Sequence, residues 1–381
     1  MFSSTSNKKV LLAMSGGVDS SVAAALLLRE GFEVVGCFMR LGSPGESLDV
    51  LETCDVAPRD TPLKIGHQGC CSINDAADAR LVAAQLEIPF YVVNFKKEFN
   101  RIIDYFVQEY DNGRTPNPCV RCNDWLKFGR LHEYAEQIGA GFIASGHYAR
   151  VDRDRHLLMR GVDAEKDQSY VLFGTPRAQL ASMLLPIGGY TKPEIRDLAR
   201  AFVLPVFDKP DSQEICFVPD NDYAGLVARR TERGIEPGRI LDRDGNQLGE
   251  HPGHQHFTIG QRRGIGIAGS QPLYVINRNA EANTITVGQR EQLQASGCIA
   301  TNTNWLAASP SPQWMRCMLK IRYNAQPVPG QMRAIDADGS SLEVRFDTPQ
   351  LAVAPGQAVV CYSDEPEASV VLCGGWIDRA T

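Results

Sequence analysis

No stretch of this chain is apolar for long enough to cross a membrane. The longest purely apolar run, Val22 to Leu28, falls far below the ~20 residues of a spanning helix. Met1 to Lys9 is polar and lacks the apolar centre of a secretory leader, so neither export nor a membrane partner is expected. An excess of positive charge is missing too. With 39 Lys and Arg against 45 Asp and Glu, the net charge is −6, which excludes indiscriminate nucleic-acid binding and confines any RNA contact to local basic patches. The eleven cysteines are an odd number scattered over 381 residues without the spacing of a disulfide scaffold, so reduced thiols and a cytoplasmic location are expected. Internal repeats and low-complexity tracts are absent. So are Gly-x-x-x-x-Gly-Lys-Ser/Thr and Gly-x-Gly-x-x-Gly, which removes the ordinary kinase and dehydrogenase readings.

What the chain does carry begins at Lys9, where a short apolar run feeds Met14-Ser-Gly-Gly-Val-Asp-Ser-Ser21 and then an alanine- and leucine-rich segment. This reads as strand, loop, helix. Gly16 and Gly17 can adopt backbone angles closed to other residues, so successive N–H groups can point into one concavity. Ser15, Ser20 and Ser21 add hydroxyls at the N-terminus of a helix expected over Val22 to Arg29, and a pyrophosphate suits such a nest. Ser15-Gly-Gly-Val-Asp-Ser20 resembles the PP-loop of the ATP pyrophosphatases, which adenylate a carbonyl oxygen and release pyrophosphate.

A chain of this length divides into two or three domains. Strand-like runs at Val10 to Met14, Glu33 to Met39, Phe90 to Asn94 and Phe142 to Ser145 alternate with helical patterns. These fall at Val22 to Arg29, Asn74 to Leu86, Ile102 to Tyr110 and Trp125 to Ile138. The alternation predicts an α/β fold with a doubly wound parallel sheet over residues 1–218, of the PP-loop, adenine nucleotide α-hydrolase-like kind that the loop resembles. Ser72 or Asn74 is expected to cap the second helix. Thr191-Lys-Pro-Glu194 reads as a capping box opening a helix to about Phe202. Leu41 to Gly69 has no periodicity and is expected to be a loop insertion. A small mixed domain follows over 219–288, with a hairpin signal at Asp244-Gly245. Over 289–381, Cys317, Leu319, Ile321 and Tyr323 alternate with polar or outward residues, as do Leu342, Val344 and Phe346, which predicts an antiparallel β-barrel or sandwich.

Asn117-Pro-Cys119-Val-Arg-Cys122-Asn123 places a Cys-x-x-Cys at the threshold of a helix, where the partial positive charge of the helix end favours thiolate, with Cys122 the better placed. Asp211-Ser-Gln-Glu-Ile-Cys216 supplies another thiol in a turn-rich stretch, which only the fold can bring to the first pair. A zinc knuckle would need a second Cys-x-x-Cys or a His pair, and neither is present. Cys70-Cys71, Cys37 and Cys361 read as packing, and His251, His254 and His256 as surface hydrogen bonding.

Taken with the phosphate loop, the two cysteine segments make the chain resemble, nearly end to end, the bacterial tRNA-specific 2-thiouridylase family, which puts sulfur on C2 of the wobble uridine of certain tRNAs. Besides Met14 to Ser21, the matching pieces are Cys37-Phe-Met39, Thr115 to Asn123, Ala144-Ser-Gly-His-Tyr148, Lys166-Asp-Gln-Ser-Tyr170, Asp211 to Cys216 and Phe257-Thr-Ile-Gly-Gln-Arg262. The resemblance implies ATP phosphates on Ala13, Met14, Ser15, Gly16, Gly17, Val18, Asp19 and Ser20, with adenine near Met39 and Gly146. It implies contacts with the tRNA anticodon stem-loop at Asn117, Pro118 and Cys119, at Lys166, Asp167 and Gln168, and at Arg322 and Tyr323. It further implies Cys122 as nucleophile and Cys216 as persulfide carrier, joined transiently in a disulfide and supplied by a sulfur-carrier protein or cysteine desulfurase relay.

The chemistry matches these residue types. A C2 carbonyl oxygen is a poor leaving group, so ATP with Mg²⁺ converts it to an adenylate before sulfur arrives. Some members of that family carry an aspartate with an acid/base part where Cys119 stands; a thiol does not serve identically, so that role is dispensable or another group supplies it. Cys119, Cys122 and Cys216 also make three ligands for a [4Fe–4S] cluster with one open iron, an alternative route for sulfide. His147 sits where it can approach the α-phosphate. Arg229, Arg230, Arg233, Arg262 and Arg263 concentrate positive charge in the middle of an acidic chain, as an RNA-facing patch would. Two rival readings remain. An amide synthetase of the same ATPase class explains the loop but not Cys122 and Cys216, and a non-catalytic RNA-binding protein leaves the intact loop unexplained.

Overall fold

The computed structural model describes residues 8–42, 73–211, 215–218, 222–267, 271–365 and 370–381. The N-terminal half carries β1 (Lys9–Ala13), β2 (Glu33–Arg40), β3 (Phe90–Asn94), β4 (Phe142–Ser145), β5 (Ala149–Asp152), β6 (Leu157–Arg160) and β7 (Met183–Leu184). Five of these form a sheet in the order β3-β2-β1-β4-β7 with every pairing parallel, while β5 and β6 make a separate antiparallel pair. The expected doubly wound sheet is therefore present. Both faces of β1 are buried, which is why it reads as an unbroken apolar run rather than an alternation. Val10 and Leu12 pack with Val22, Leu26 and Phe38 on one face, and Leu11 and Ala13 pack with Ile102, Phe106 and Ile143 on the other.

The helices are α1 (Val18–Arg29), α2 (Ile73–Gln85), α3 (Lys96–Asp111), α4 (Pro118–Arg121), α5 (Leu131–Gln137), α6 (Lys192–Ala201) and α7 (Tyr223–Arg230). Three differ instructively from expectation. Helix α1 starts four residues before Val22, so Asp19 and Ser20 lie in its first turn. Asn74 falls inside α2 instead of capping it, and Ser72, like Cys70, Cys71 and all of the expected insertion except Leu41 and Gly42, lies outside the described residues. The helix expected from Trp125 begins at Pro118, with α4 running into a π-helix over Cys122–Arg130 and then into α5. The Thr191–Glu194 capping box is complete, with the Glu194 carboxylate accepting from the Thr191 N–H at 2.7 Å.

Beyond residue 222, β8 (Gly238–Leu241), β9 (Gln247–His251), β10 (Tyr274–Asn279) and β11 (Thr284–Gly288) form a mixed sheet in the order β10-β11-β8-β9. The Asp244-Gly245 turn closes β8 onto β9, with Gly245 at φ 88°. Of the three histidines expected at the surface, His251 and His254 are instead buried: His251 Nδ1 accepts from the Gly253 N–H, and His254 faces Arg278 at 3.4 Å. Burial first, and then neighbouring positive charge, lowers His254 to about 4.

The C-terminal strands β12 (Gln294–Trp305), β13 (Met315–Lys320), β14 (Val328–Ala334), β15 (Ser341–Leu351), β16 (Ala358–Tyr362) and β17 (Val371–Ala380) close into a six-stranded antiparallel barrel, which decides between barrel and sandwich. Cys317, Leu319, Leu342, Val344 and Cys361 point into it as alternation requires. The outward set is not solvated throughout. Val360, Tyr362 and Trp376 join the core of the parallel sheet's second face, and the outward Lys320 is buried, 3.9 Å from Asp167. Hydrogen bonds from Tyr170 Oη to the Ala358 carbonyl (2.9 Å) and from Asn304 Nδ2 to the Phe173 carbonyl (2.7 Å) fasten the same contact.

Trp376 is the centre of that joint, with its ring 5.9 Å from Phe173 and 6.1 Å from Tyr105. Trp376→Ala should cost ~3–5 kcal/mol by leaving a cavity in a shared core, lowering the urea midpoint of both the barrel and the sheet domain. An unchanged midpoint would mean that the two units fold without leaning on each other.

Candidate active site at the end of the parallel sheet

Strand order reverses beside β1, since the chain builds outward through β2 and β3 and then returns to set β4 on the other side. Such a switch point leaves a crevice beyond the C-terminal ends of the two strands. A cavity of about 300 Å³ occupies it, lined from β1 and α1 by Ala13, Met14, Ser15, Gly17, Val18, Asp19 and Ser20, from β2 by Met39, and after β4 by Ser145, Gly146, His147 and Tyr148. The residues assigned to ATP thus converge, apart from Gly16, whose role is in the backbone. Gly16 has φ 74°, and a Cβ there would fall on the carbonyl oxygen of Asp75. Gly17 does not need to be glycine on the same ground. As the N-cap of α1 it has φ −95° and ψ 171°, angles open to any residue. Gly146 is a second close approach, because its Cβ would lie 2.7 Å from the Ser20 nitrogen. Ser21, expected to serve the loop, donates to the Gly17 carbonyl at 2.8 Å and is buried in the helix.

Charged residues paired across the fold complete the cavity. Lys192, buried at the start of α6, donates to both Asp19 oxygens (2.7 and 2.9 Å) and pairs with Asp211 at 2.8 Å. The Tyr148 hydroxyl donates to Asp19 at 2.8 Å. Lys166 and Arg196 add ion pairs to Asp211 at 2.9 and 3.0 Å. Lys209 bonds the Gly16 carbonyl at 3.0 Å and the Asp75 carboxylate at 2.7 Å, which ties the phosphate loop to α2. Lys127 contacts His147 Nε2 at 3.4 Å, and His147 Nδ1 lies 2.7 Å from Ser145 Oγ. Burial, then the Lys127 charge, holds His147 well below its usual range, so the ring is neutral. Among the lysines, only Lys166 was reachable from sequence.

The cysteines lie off the cavity floor. Cys122 and Cys216 are half-buried and pack against the same apolar cluster, although 216 and 122 are far apart in the chain. Cys119, not Cys122, stands nearest the helix N-terminus; it is exposed and close enough to Tyr323 to act on its charge. The residues assigned to tRNA divide. Lys166, Gln168 and Tyr323 line the cavity. Asn117 is buried and caps α4, its side-chain oxygen accepting from the Val120 N–H, and Pro118 is buried beside it. Asp167 is buried as well, accepting from the Gly161 and Ser169 N–H groups, so its carboxylate shapes the loop that presents its neighbours. Arg322 donates to the Leu351 and Ala352 carbonyls. Among the described residues no three Cys, His, Asp or Glu side chains come together as metal ligands. None of the described helices is long and apolar enough to cross a membrane.

Fold and cavity define a nucleotide-binding α/β domain of the PP-loop type that carries a mixed sheet and a barrel. Residues 8–220 match the family described as tRNA methyl transferase HUP domain, residues 228–289 the tRNA methyl transferase PRC-barrel domain, and residues 295–377 the aminomethyltransferase beta-barrel domain. The tRNA-specific 2-thiouridylase MnmA of Geotalea uraniireducens is 47% identical over 391 residues, covering 100% of this chain and 97% of its own. That of Rhodopirellula baltica is 46% identical, covering 98% of this chain and 96% of its own. The chain belongs to the tRNA-specific 2-thiouridylase family.

Two measurements test this geometry. Gly16→Ala must force a left-handed Cβ into the Asp75 backbone, so ATP affinity measured by equilibrium dialysis should fall at least ~10-fold, whereas Gly17→Ala should stay within about threefold. Equal effects would contradict the division between the two glycines. Burial alone would raise the Asp211 carboxyl, but bonds from Lys192 and Lys166 prevail and hold it at about 2. A carboxyl more acidic folded than unfolded stabilises the fold above its unfolded value of ~3.9, and that contribution is lost as pH falls from there toward the folded value. The urea stability of the parent should therefore decline relative to Asp211→Asn between about pH 4 and pH 2, and parallel curves would contradict the network.

Proposed function

We propose that this protein is a tRNA-uridine 2-sulfurtransferase that converts the wobble uridine of tRNA to 2-thiouridine, consuming ATP and yielding AMP and pyrophosphate. The observation that carries this reading is the cavity in which the phosphate loop, Ala13 to Ser20, meets Gln168 and Tyr323, an amide and an aromatic ring suited to a base, beside Lys166. Phosphates lie against the loop N–H groups and the α1 N-terminus, where backbone donors and the helix dipole favour an anion, and Mg²⁺ enters with the nucleotide. Met39 and Gly146 border the adenine. A stacked anticodon base reaches the cavity only after turning out of its loop, and Tyr323 offers it an aromatic face.

In the first step the uridine O2 attacks the α-phosphorus, the bond to the β-phosphate breaks, and pyrophosphate leaves. Cys216, loaded as a persulfide by a sulfur-carrier protein or cysteine desulfurase relay, then attacks C2 through its terminal sulfur and AMP departs. The Cys122 thiolate attacks the Cys216 sulfur, which frees the thiocarbonyl and leaves a Cys122–Cys216 disulfide; a cellular thiol reductant returns both to thiols. Asn117, Pro118, Cys119, Asp167 and Arg322 act at the tRNA site by holding its walls or meeting the nucleotide. Arg229, Arg230, Arg233, Arg262 and Arg263, all exposed, form the basic surface for the tRNA backbone in an otherwise acidic protein, which works in the cytoplasm.

Cys122→Ser and Cys216→Ser should each abolish thiouridine formation, read by mass spectrometry of digested tRNA. Both should leave tRNA-stimulated pyrophosphate release within about threefold of the parent, because adenylation precedes sulfur transfer. Thiolation surviving in either variant would refute the assignment.

A further inference from the structure

Of the four lysines that line the cavity, three are neutralised. Lys166 and Lys192 are paired with Asp211, Lys192 also with Asp19, and Lys209 with Asp75 and Asp78. Lys127 differs: among the described residues it forms no ion pair, and its partner is the neutral ring of His147. An ammonium group only donates, so His147 Nε2 accepts from it and the ring proton sits on Nδ1, directed at Ser145 Oγ 2.7 Å away. His147 therefore steers the Lys127 ammonium without cancelling its charge. Lys127 lines the same cavity as Gly146, the residue preceding its partner His147, and Gly146 packs against the Ser20 backbone in the first turn of α1.

The backbone around Lys127 is wound to put it there. Residues 122–130 form a π-helix, and the Leu131 N–H returns to the Leu126 carbonyl five residues back. In an α-helix, positions five apart diverge by about 140° at 3.6 residues per turn, whereas i→i+5 winding brings them onto one side. Cys122 and Lys127 are five apart. Gly129 permits the winding, because a Cβ there would meet the Asp124 carbonyl oxygen at 2.7 Å. The same local distortion thus aligns the proposed sulfur-transfer nucleophile with a cation of the nucleotide cavity.

We propose that Lys127 is a catalytic residue of the adenylation step, its ammonium binding the non-bridging oxygens of the α-phosphate as the uridine O2 attacks and remaining on AMP as that group departs. The proposal rests on the adenylating reading above and adds the group that meets the charge growing on the phosphate. No proton moves at Lys127; the O2–phosphorus bond forms as the bond to the leaving pyrophosphate breaks.

The test is tRNA-dependent pyrophosphate release by the full-length enzyme, with kcat and KM determined separately and ATP and tRNA affinities measured by direct binding. Lys127→Met should lower kcat ~10²–10³-fold, the range for loss of one transition-state donor, with both affinities within about threefold of the parent. Lys127→Ala with added methylamine should regain part of the loss, and Lys127→Arg at least ~10-fold over Lys127→Met, which also shows that the pocket remains folded. A Lys127→Met enzyme with the parent's kcat, or one altered in KM alone, overturns the proposal, as does Lys127→Ala that amine fails to rescue while Lys127→Arg is equally dead. Failure of the parent to release pyrophosphate would instead sink the adenylating reading itself.

Discussion

The tight contact between Gly16 and the backbone of Asp75 governs the site. A loop that turns back on itself at φ 74° can expose its N–H groups only if something holds it there, and α2 supplies both the steric wall and, through Asp75 and Asp78, the anions for Lys209. Lys209 closes the arrangement by donating to the Gly16 carbonyl, so that acceptor is satisfied. On the other side of the loop Lys192, Asp19, Asp211, Lys166 and Arg196 form a continuous charge network running through α6 and the loop after β6. Partly buried networks of this kind are costly unless fully paired, and pairing makes each member a fixed point for the next. A cavity otherwise neutralised gives the charge of Lys127 its direction.

The joint with the barrel has a parallel logic. Arg121, between Cys119 and Cys122 in sequence, has its guanidinium 3.9 Å from the Trp376 ring centre, 5.0 Å from that of Trp125 and 5.1 Å from that of Tyr105. The helix bearing both cysteines is thereby stacked onto a barrel strand, with aromatic faces in place of a carboxylate partner. Tyr323, just beyond β13 of the barrel, lines the cavity, so the C-terminal unit contributes to the walls of the site at the end of the N-terminal sheet. Tyr323 reads in sequence as one more inward strand residue, and only the end of β13 at Lys320 releases it.

Much of this is legible in the sequence. Strands β3 and β4 and the Thr191 capping box fall where the pattern puts them, because each is signalled locally, by an apolar run between turns or by a reciprocal cap. Helix α1 starts one turn before the sequence pattern places it because Val18 to Ser21 looks like loop chemistry, and serine and aspartate are ambiguous between a cap and a first turn. The sequence does not assign Lys192 and Lys209 to the nucleotide end, since their roles arise from pairing across more than a hundred residues with Asp19, Asp75 and Gly16, and Asp211 joins them only through Lys192, Lys166 and Arg196. The burial of His251 and His254 has no local signal either: His254 meets Arg278, which β10 brings to it from 24 residues further on. π-Winding has no sequence signature comparable to a cap, so the shared face of Cys122 and Lys127 belongs wholly to the structure.

The central claim is that the cavity beyond β1 and β4 joins a tRNA uridine to the α-phosphate of ATP before any sulfur moves. The most direct measurement is a single-turnover reaction of sulfur-free enzyme, its Cys216 alkylated, with ATP labelled at the α-phosphorus and tRNA bearing an unmodified wobble uridine. Label should migrate with the tRNA, with one pyrophosphate released for each label bound. Formation of ADP, or release of pyrophosphate with no label on the tRNA, would contradict the account.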